Sequence, residues 1–331
     1  MNNGHILLLM GGGGTEHEIS LNSAKFIEEK LKTITGHSYT KVEITKDNSW
    51  RATGNLSCEL NFSHHLVFEN NSKIKIDCVI PCIHGFPGET GDLQSYLELI
   101  GLPYLGCTPG PSSICFNKVT TKLWLNNLDI PNTPFIFLTD HSEESLAKAR
   151  NFQSKWGQIF IKASNQGSSV GCYPIDSDED VSLKIREAFK FSSFVLVEKR
   201  VQGRELEVSV FEHQGQVHAS FPGEVLTPEH FYSYDEKYST NSKTQTSTKA
   251  LNLDSQIAQQ ISNLAKKAFI NLKLRHLSRI DFFLEGQSIY LNEINTFPGM
   301  TSISLFPKMM EESGVKFSDF LKDSLNSILK K

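Results

Sequence analysis

Residues 278–304 read SRIDFFLEGQSIYLNEINTFPGMTSIS and constrain this chain more than any other stretch. Ile280, Phe282 and Leu284 alternate with Arg279, Asp281 and Phe283, and a second alternating run spans 289–295. The turn-like Glu285-Gly286-Gln287-Ser288 lies between them, so the pattern predicts a hairpin. Side chains two apart share a strand face, so one face is apolar and the other carries Arg279 and Asp281 with Glu293 and Asn295. A three-residue loop over 286–288 sets Asp281 opposite Glu293, whereas a loop of two or four residues sets it opposite Asn292. Directly opposed like charges are destabilising, so two carboxylates and an amide oxygen there need a compensating cation. Oxygen-only ligands suit Mg²⁺ or Mn²⁺ rather than zinc. The alternative is a solvated sheet face on which Asp281 and Glu293 never meet. The continuation Asn295-Thr296-Phe297-Pro298-Gly299-Met300-Thr301-Ser302 favours the site, because a Pro-Gly turn into small hydroxylic residues puts free backbone N–H groups beside it. That combination suits phosphate chemistry.

A chain of 331 residues, 39% hydrophobic and 21% charged, predicts a soluble globular protein of more than one domain. A net charge of −4 and the lack of a long Lys/Arg run argue against nucleic acid or anionic lipid and point to small-molecule partners. The apolar run 6–10 is too short for a signal-peptide core or a membrane span, which predicts a cytoplasmic protein. Six cysteines with no C-x-x-C pair are read as free, mostly buried thiols. Cys82 stands close enough to His84 for a nucleophilic role to stay open on spacing alone.

The first strand, 5–10, runs through four glycines into a helix over 16–32. Neither nucleotide fingerprint fits: a GxGxxG from Gly11 needs glycine where Glu16 stands, and no Gly-Lys-Ser/Thr occurs. The glycines deliver Glu16 to a helix start, where an acidic residue is also favoured for the dipole alone. Strands follow at 40–45 and 78–83. The Gly/Pro-rich segment 84–92 then leads from His84 to a helix over 92–100, and Pro109-Gly110-Pro111 marks a domain boundary. A helix over 112–127 carries Lys118 and Lys122 on one face, where simple solvation would explain both. Short strands are expected at 135–138, 159–162 and 173–175, with a helix over 143–155. Lys162 closes a strand before a Gly/Ser loop with Ser168 and Ser169, a pattern that can surround phosphates. Strands at 194–201 and 206–211, a hairpin turn at Gln214-Gly215, a polar lid over 227–249, and helices at 254–271 and 318–329 complete the expectation.

Taken together, seven motifs in order resemble the D-alanine–D-alanine ligases of the ATP-grasp superfamily: GGGGTEHEIS at 11–20, HGFPGETGDLQ at 84–94, GSSVG at 167–171, VEKRVQGRELEVSV at 197–210, YSYDEKY at 232–238, SRIDF at 278–282 and NEINTFPGMTSISL at 292–305. The resemblance implies an α/β ATP-grasp fold with an N-terminal Rossmann-like domain (1–108), a central α+β domain (109–196) and a C-terminal α+β domain (197–331). It implies that Lys118, Lys162, Ser168 and Ser169 hold ATP phosphates, Glu198 and the chain after it the adenine, and Glu205 the ribose. Asp281, Glu293 and Asn295 would bind two Mg²⁺ (or Mn²⁺) ions. Glu16 would hold the first D-alanine's ammonium, linked through Ser168 to Tyr238, while Lys237 reaches the γ-phosphate. His84 would lie by the first substrate's carboxylate, Arg279 and the Gly299 N–H would cover the oxyanion, and Ser304 would help bind the second carboxylate. The family also implies a homodimer and a place in peptidoglycan precursor synthesis. Two departures stand out: Gly14 replaces a serine usual two residues before the glutamate, and 239–249 lacks a proline common in the lid.

Three rivals are weaker. A sister ligase for D-lactate or D-serine is disfavoured by Tyr238, and a non-catalytic ATP-binding protein has no need of two metal carboxylates with an oxyanion donor. A nicotinamide dehydrogenase lacks its fingerprint.

Overall fold

The computed structural model describes residues 4–34, 36–176, 179–226 and 244–330. The first sheet grows from β1 (His5–Gly11), α1 (His17–Leu31), β2 (Ser38–Ile44), β3 (Trp50–Ala52), β4 (Leu56–Leu60), β5 (His65–Phe68), β6 (Lys73–Lys75) and β7 (Cys78–Cys82). Its order is β6-β5-β4-β3-β2-β1-β7, with β1 parallel to both β2 and β7. Ile6 to Leu9 are fully buried, as expected of a parallel strand covered on both faces. The antiparallel extension β3–β6 leaves little trace in the sequence, because its strands are three to five residues long and only partly apolar.

Next come α2 (Asp92–Leu99), α3 (Pro109–Phe116) and α4 (Lys118–Asn127). The helix expected over 112–127 is thus two helices. Asn117 breaks it with an extended backbone, φ −86° and ψ 106°, and its side chain caps α4 by accepting from the Thr120 N–H at 3.0 Å.

The second sheet comprises β8 (Phe135–Leu138), β9 (Ile159–Ala163), β10 (Cys172–Ile175) and β11 (Val195–Lys199), antiparallel in the order β10-β9-β11-β8. Two helices, α5 (Glu143–Trp156) and α6 (Val181–Ala188), cover one face through Leu146, Phe152 and Ile185. The opposite face carries Lys162 and Glu198. Because β11 pairs with its neighbours through Lys199, the division expected between 196 and 197 would cut a strand. We propose that the domain break follows the sheets and falls after Lys199.

The third sheet contains β12 (Arg204–His213), β13 (Gln216–Ala219), β14 (Gly223–Leu226), β15 (Gln245–Ser247), β16 (Leu277–Glu285) and β17 (Ser288–Asn295). Its order is β15-β14-β12-β16-β17, with β13 paired to β12 and α7 (Ser255–Asn271) packed on one face. In the β16–β17 hairpin Glu285 pairs with Ser288, so the turn has two residues, Gly286 and Gln287, not three. Asp281 nevertheless faces Glu293. Phe282 pairs with Leu291, so Asn292 is the extra residue of a β-bulge that restores the expected opposition.

Two closing helices, α8 (Leu305–Glu312) and α9 (Phe317–Leu329), join the first and third sheets in one core. Phe317, Phe320, Leu321 and Leu325 pack with Ile6 and Leu8 of β1 and with Phe211 of β12. All six cysteines are free, and among the described residues no helix is long and apolar enough to cross a membrane.

Phe320→Ala is expected to lower stability by about 3–5 kcal/mol in urea unfolding, with both outer sheets melting in one transition. A loss below about 1 kcal/mol, or two separated transitions, would contradict the shared core.

Candidate active site

Loops from the first and second sheets converge at Glu16. The residue occupies the N-cap position of α1 without using its side chain as a cap. The glycine turn before it is pinned: the Gly12 N–H donates to the Ile44 carbonyl at 2.6 Å, and the Gly11 N–H to Ser20 Oγ at 2.7 Å. Ser168, from the loop after β9, donates through Oγ to Glu16 Oε1 at 2.5 Å. A Cβ placed on Gly85 or on Gly167 would stand 2.8 Å from Glu16 Oε2, so a side chain at either position would push that carboxylate aside. Ser168 and Ser169 adopt left-handed backbone, φ 49° and 62°, a conformation held at cost in sites that use it.

His84 is buried and both ring nitrogens meet protein partners. Nδ1 lies 3.1 Å from the Phe297 carbonyl and Nε2 lies 2.8 Å from Ser23 Oγ. Burial lowers its pKa, outweighing the raising effect of Glu16. The neutral ring then donates from Nδ1 to Phe297 and accepts at Nε2 from Ser23, which accepts the Met300 N–H at 3.2 Å. Glu89, which the sequence does not single out, accepts the Gly85 N–H at 2.8 Å and the Phe297 N–H at 3.4 Å. The 84–89 loop therefore grips both ends of Phe297, two residues before Gly299. Burial, reinforced by the charge of Glu16, pushes the Glu89 carboxyl up to about 8. Cys82 is fully buried and burial pushes its thiol far up, which removes it as a nucleophile.

On the other side of Ser168 lie three lysines. Lys118, at the start of α4, donates to the Gln166 carbonyl at 2.6 Å and stands 3.9 Å from Glu293 Oε2. Lys162 pairs with Glu198 Oε1 and reaches Asn292 Oδ1, on the bulge, at 3.4 Å. Glu198, expected beside the adenine, is 2% exposed. Its second oxygen takes Lys122 at 3.0 Å and the Thr133 hydroxyl at 2.8 Å. Its side chain is thus taken up by the two lysines and a threonine. Burial alone would raise the Glu198 carboxyl, but Lys122 and Lys162 hold it down at about 2. Lys122, read from spacing as a solvated side chain, is buried instead.

The bulge sets Glu293 in a row with Asp281 and with Glu207 of β12, which pairs directly with Asp281. Arg279 answers this charge. It donates to Asp281 through Nε and an Nη at 2.8 Å each, and its Nε lies 3.3 Å from Glu207 Oε2. Asn295 donates to Asp281 Oδ2 at 3.1 Å through its amide nitrogen, leaving its oxygen for a cation. Among the described residues no three His, Cys, Asp or Glu side chains already form a closed cage. The donor set of Asp281, Glu293 and Asn295 fits a hard cation such as Mg²⁺, which keeps water and phosphate oxygens among its ligands. Glu205 lies on the same face of β12 as Glu207, opposite Phe283. Ser304 sits at the N-cap of α8, its Oγ accepting the Thr301 N–H at 2.9 Å, and Gly299 lies beside it. A helix start of this kind favours a carboxylate. Lys237 and Tyr238 lie outside the described residues.

Gly167→Ala is expected to drive the new methyl group onto Glu16 and cut kcat/KM by about tenfold or more with the fold intact. Unchanged steady-state kinetics would contradict the contact. For Glu89, the folded carboxyl holds its proton where the unfolded one has lost it, so stability falls as pH rises from about 5 to about 8. Glu89→Gln should flatten that fall in urea titrations run across the range. Parallel curves for the two proteins would remove the assignment.

The family model described as "D-ala D-ala ligase N-terminus" matches residues 5–107, and the one described as "D-ala D-ala ligase C-terminus" matches 124–326. A D-alanine–D-alanine ligase of Aeromonas hydrophila is 51% identical over 98% of this chain and 99% of its own. Among solved structures, D-alanyl-alanine synthetase A of Vibrio cholerae aligns with TM-score 0.94 and 50% identity over 100% of both chains. The D-Ala:D-Ser ligase VanG of Enterococcus faecalis aligns with TM-score 0.87 and 26% identity, over 98% of this chain and 99% of its own. Matched in both halves, and half identical to such relatives from end to end, the chain belongs to the D-alanine–D-alanine ligase family.

Proposed function

We propose that the protein joins two D-alanines into D-alanyl-D-alanine, using ATP, as a step in making peptidoglycan precursors. The observation that carries the reading is the convergence on one site of a carboxylate for an ammonium (Glu16), lysines for phosphates (Lys118, Lys162) and a row of metal-type oxygens crossed by Arg279. A carboxylate is a poor electrophile. Lys118, Lys162 and the Ser168-Ser169 backbone would hold the triphosphate so that an oxygen of the first D-alanine attacks the γ-phosphorus, giving an acyl phosphate and ADP. Bound by Asp281, Glu293 and Asn295, two Mg²⁺ or Mn²⁺ ions would disperse the phosphate charge.

Glu16, steadied by Ser168, would fix the first ammonium, and His84 would orient the loop beside its carboxylate. Ser304 and the start of α8 would receive the second carboxylate, aiming the second amine at the activated carbonyl. Arg279 and the Gly299 N–H would then stabilise the tetrahedral oxyanion before phosphate leaves. Glu205 would take the ribose, the chain after Glu198 the adenine, and the 232–238 motif would contribute Lys237 to the γ-phosphate and Tyr238 to the Ser168–Glu16 link. A cytoplasmic homodimer completes the proposal.

The reading is tested by ADP release with Mg²⁺, ATP and D-alanine, run beside L-alanine alone and D-alanine with D-lactate, with products weighed by mass spectrometry. Dipeptide matched to ADP with D-alanine alone is expected. Arg279→Ala should lower kcat by about 10²–10³-fold. Release only with a mixed pair would move the activity to a sister ligase, and near-normal turnover by Arg279→Ala would remove the oxyanion role.

A further inference from the structure

Among the described residues, Lys122 is one of the large fully buried side chains, 2% exposed. Such a charge costs several kcal/mol unless closely paired. Its partners are Glu198 Oε2 at 3.0 Å and Thr133 Oγ1 at 2.5 Å, with the Phe135 ring at 5.3 Å. Thr133 accepts from Lys122 and directs its own proton toward Glu198 at 2.8 Å, so the triad is closed. Glu198 in turn holds Lys162 through its other oxygen.

The charge count gives this arrangement its meaning. Two ammonium groups share one buried carboxylate, leaving a net positive charge. Lys122 points into the interior between α4 and β11. Lys162 extends toward Asn292 on the hairpin that carries the metal-type oxygens. We propose that Lys122 is a positioning residue for ATP: by neutralising Glu198 from behind, it leaves the charge of Lys162 available to the phosphates while Glu198 fixes where that ammonium points. The proposal rests on the assignment of Lys162 to the ATP phosphates. Without Lys122, Glu198 and Lys162 would form a neutral pair, and the phosphates would lose their nearest spare charge on this sheet.

A purely structural lysine would affect folding and leave ATP selectivity alone. Lys122→Met is expected to raise the KM for ATP and the Kd for Mg-ADP by about tenfold, with the KM for D-alanine within about twofold of the parent. The double variant Lys122→Met/Glu198→Gln removes the charge and its counter-charge together, so nucleotide affinity should recover about threefold over Lys122→Met while stopping short of the parent, because Glu198 no longer fixes where Lys162 points. Unchanged nucleotide affinity in Lys122→Met would overturn the proposal, as would a double variant no better than the single one. If Lys122→Met does not fold, Lys122→Gln removes the same charge with a polar side chain: a rise in the KM for ATP of several-fold supports the proposal, and no rise overturns it. Lys162→Met separates the underlying assignment, since unchanged affinity for Mg-ADP in that variant would remove Lys162 from the phosphate site itself.

Discussion

Like charges placed side by side on one sheet face set the problem that the rest of this molecule answers. Glu207, Asp281 and Glu293 lie in a row across β12, β16 and β17. Opposed carboxylates repel, and a fold keeps them only where cations offset the repulsion. Arg279 supplies one from within the row, and Lys118 approaches Glu293 from the helix above. Excess negative charge still remains on an oxygen-rich surface, the condition under which a hard divalent ion binds well. The guanidinium that compensates the carboxylates is also the donor proposed for the oxyanion, so electrostatic balance and catalysis draw on the same residue.

The second sheet meets this row with the opposite sign. Glu198 engages two lysines, and the asymmetry of two ammonium groups to one carboxylate gives the sheet a net positive charge. Between the two sheets stands Glu16, delivered by the glycine turn of the first and gripped by Ser168 of the second. No single sheet contains the site. Fixing it depends on contacts such as the clasp of His84 and Glu89 on Phe297, which ties the first sheet's loop to the strand end of the third. A shared core through α9 holds together the two sheets that carry those loops.

Much of this is legible in the sequence because period-2 alternation and Gly/Pro punctuation report local structure directly. The opposition of Asp281 and Glu293 follows from the alternation, but by a different device from the one the spacing suggests. Alternation reveals which residues share a face, whereas a bulge such as that at Asn292 adds a residue without leaving a pattern, so a two-residue turn with a bulge reads as a three-residue loop. The break at Asn117 is hidden for a related reason: the asparagine that caps α4 sits inside an unbroken helical period. Lys122 and Glu207 escape notice because spacing gives a direction around a helix or strand and not what covers it. Glu207 alternates with apolar neighbours like any exposed strand residue, and only the third strand beside it reveals the row.

Activation of a carboxylate by phosphorylation is the central claim, and the fate of its oxygen tests it most directly. D-Alanine labelled with oxygen-18 in its carboxylate would be turned over with Mg-ATP, and the inorganic phosphate analysed by mass. An oxygen of the first D-alanine attacks phosphorus and leaves with it, so each phosphate released should carry one labelled oxygen. Unlabelled phosphate accompanying dipeptide would mean that the carboxylate was never phosphorylated, and the roles proposed for Lys118, Lys162 and Arg279 would have to be abandoned.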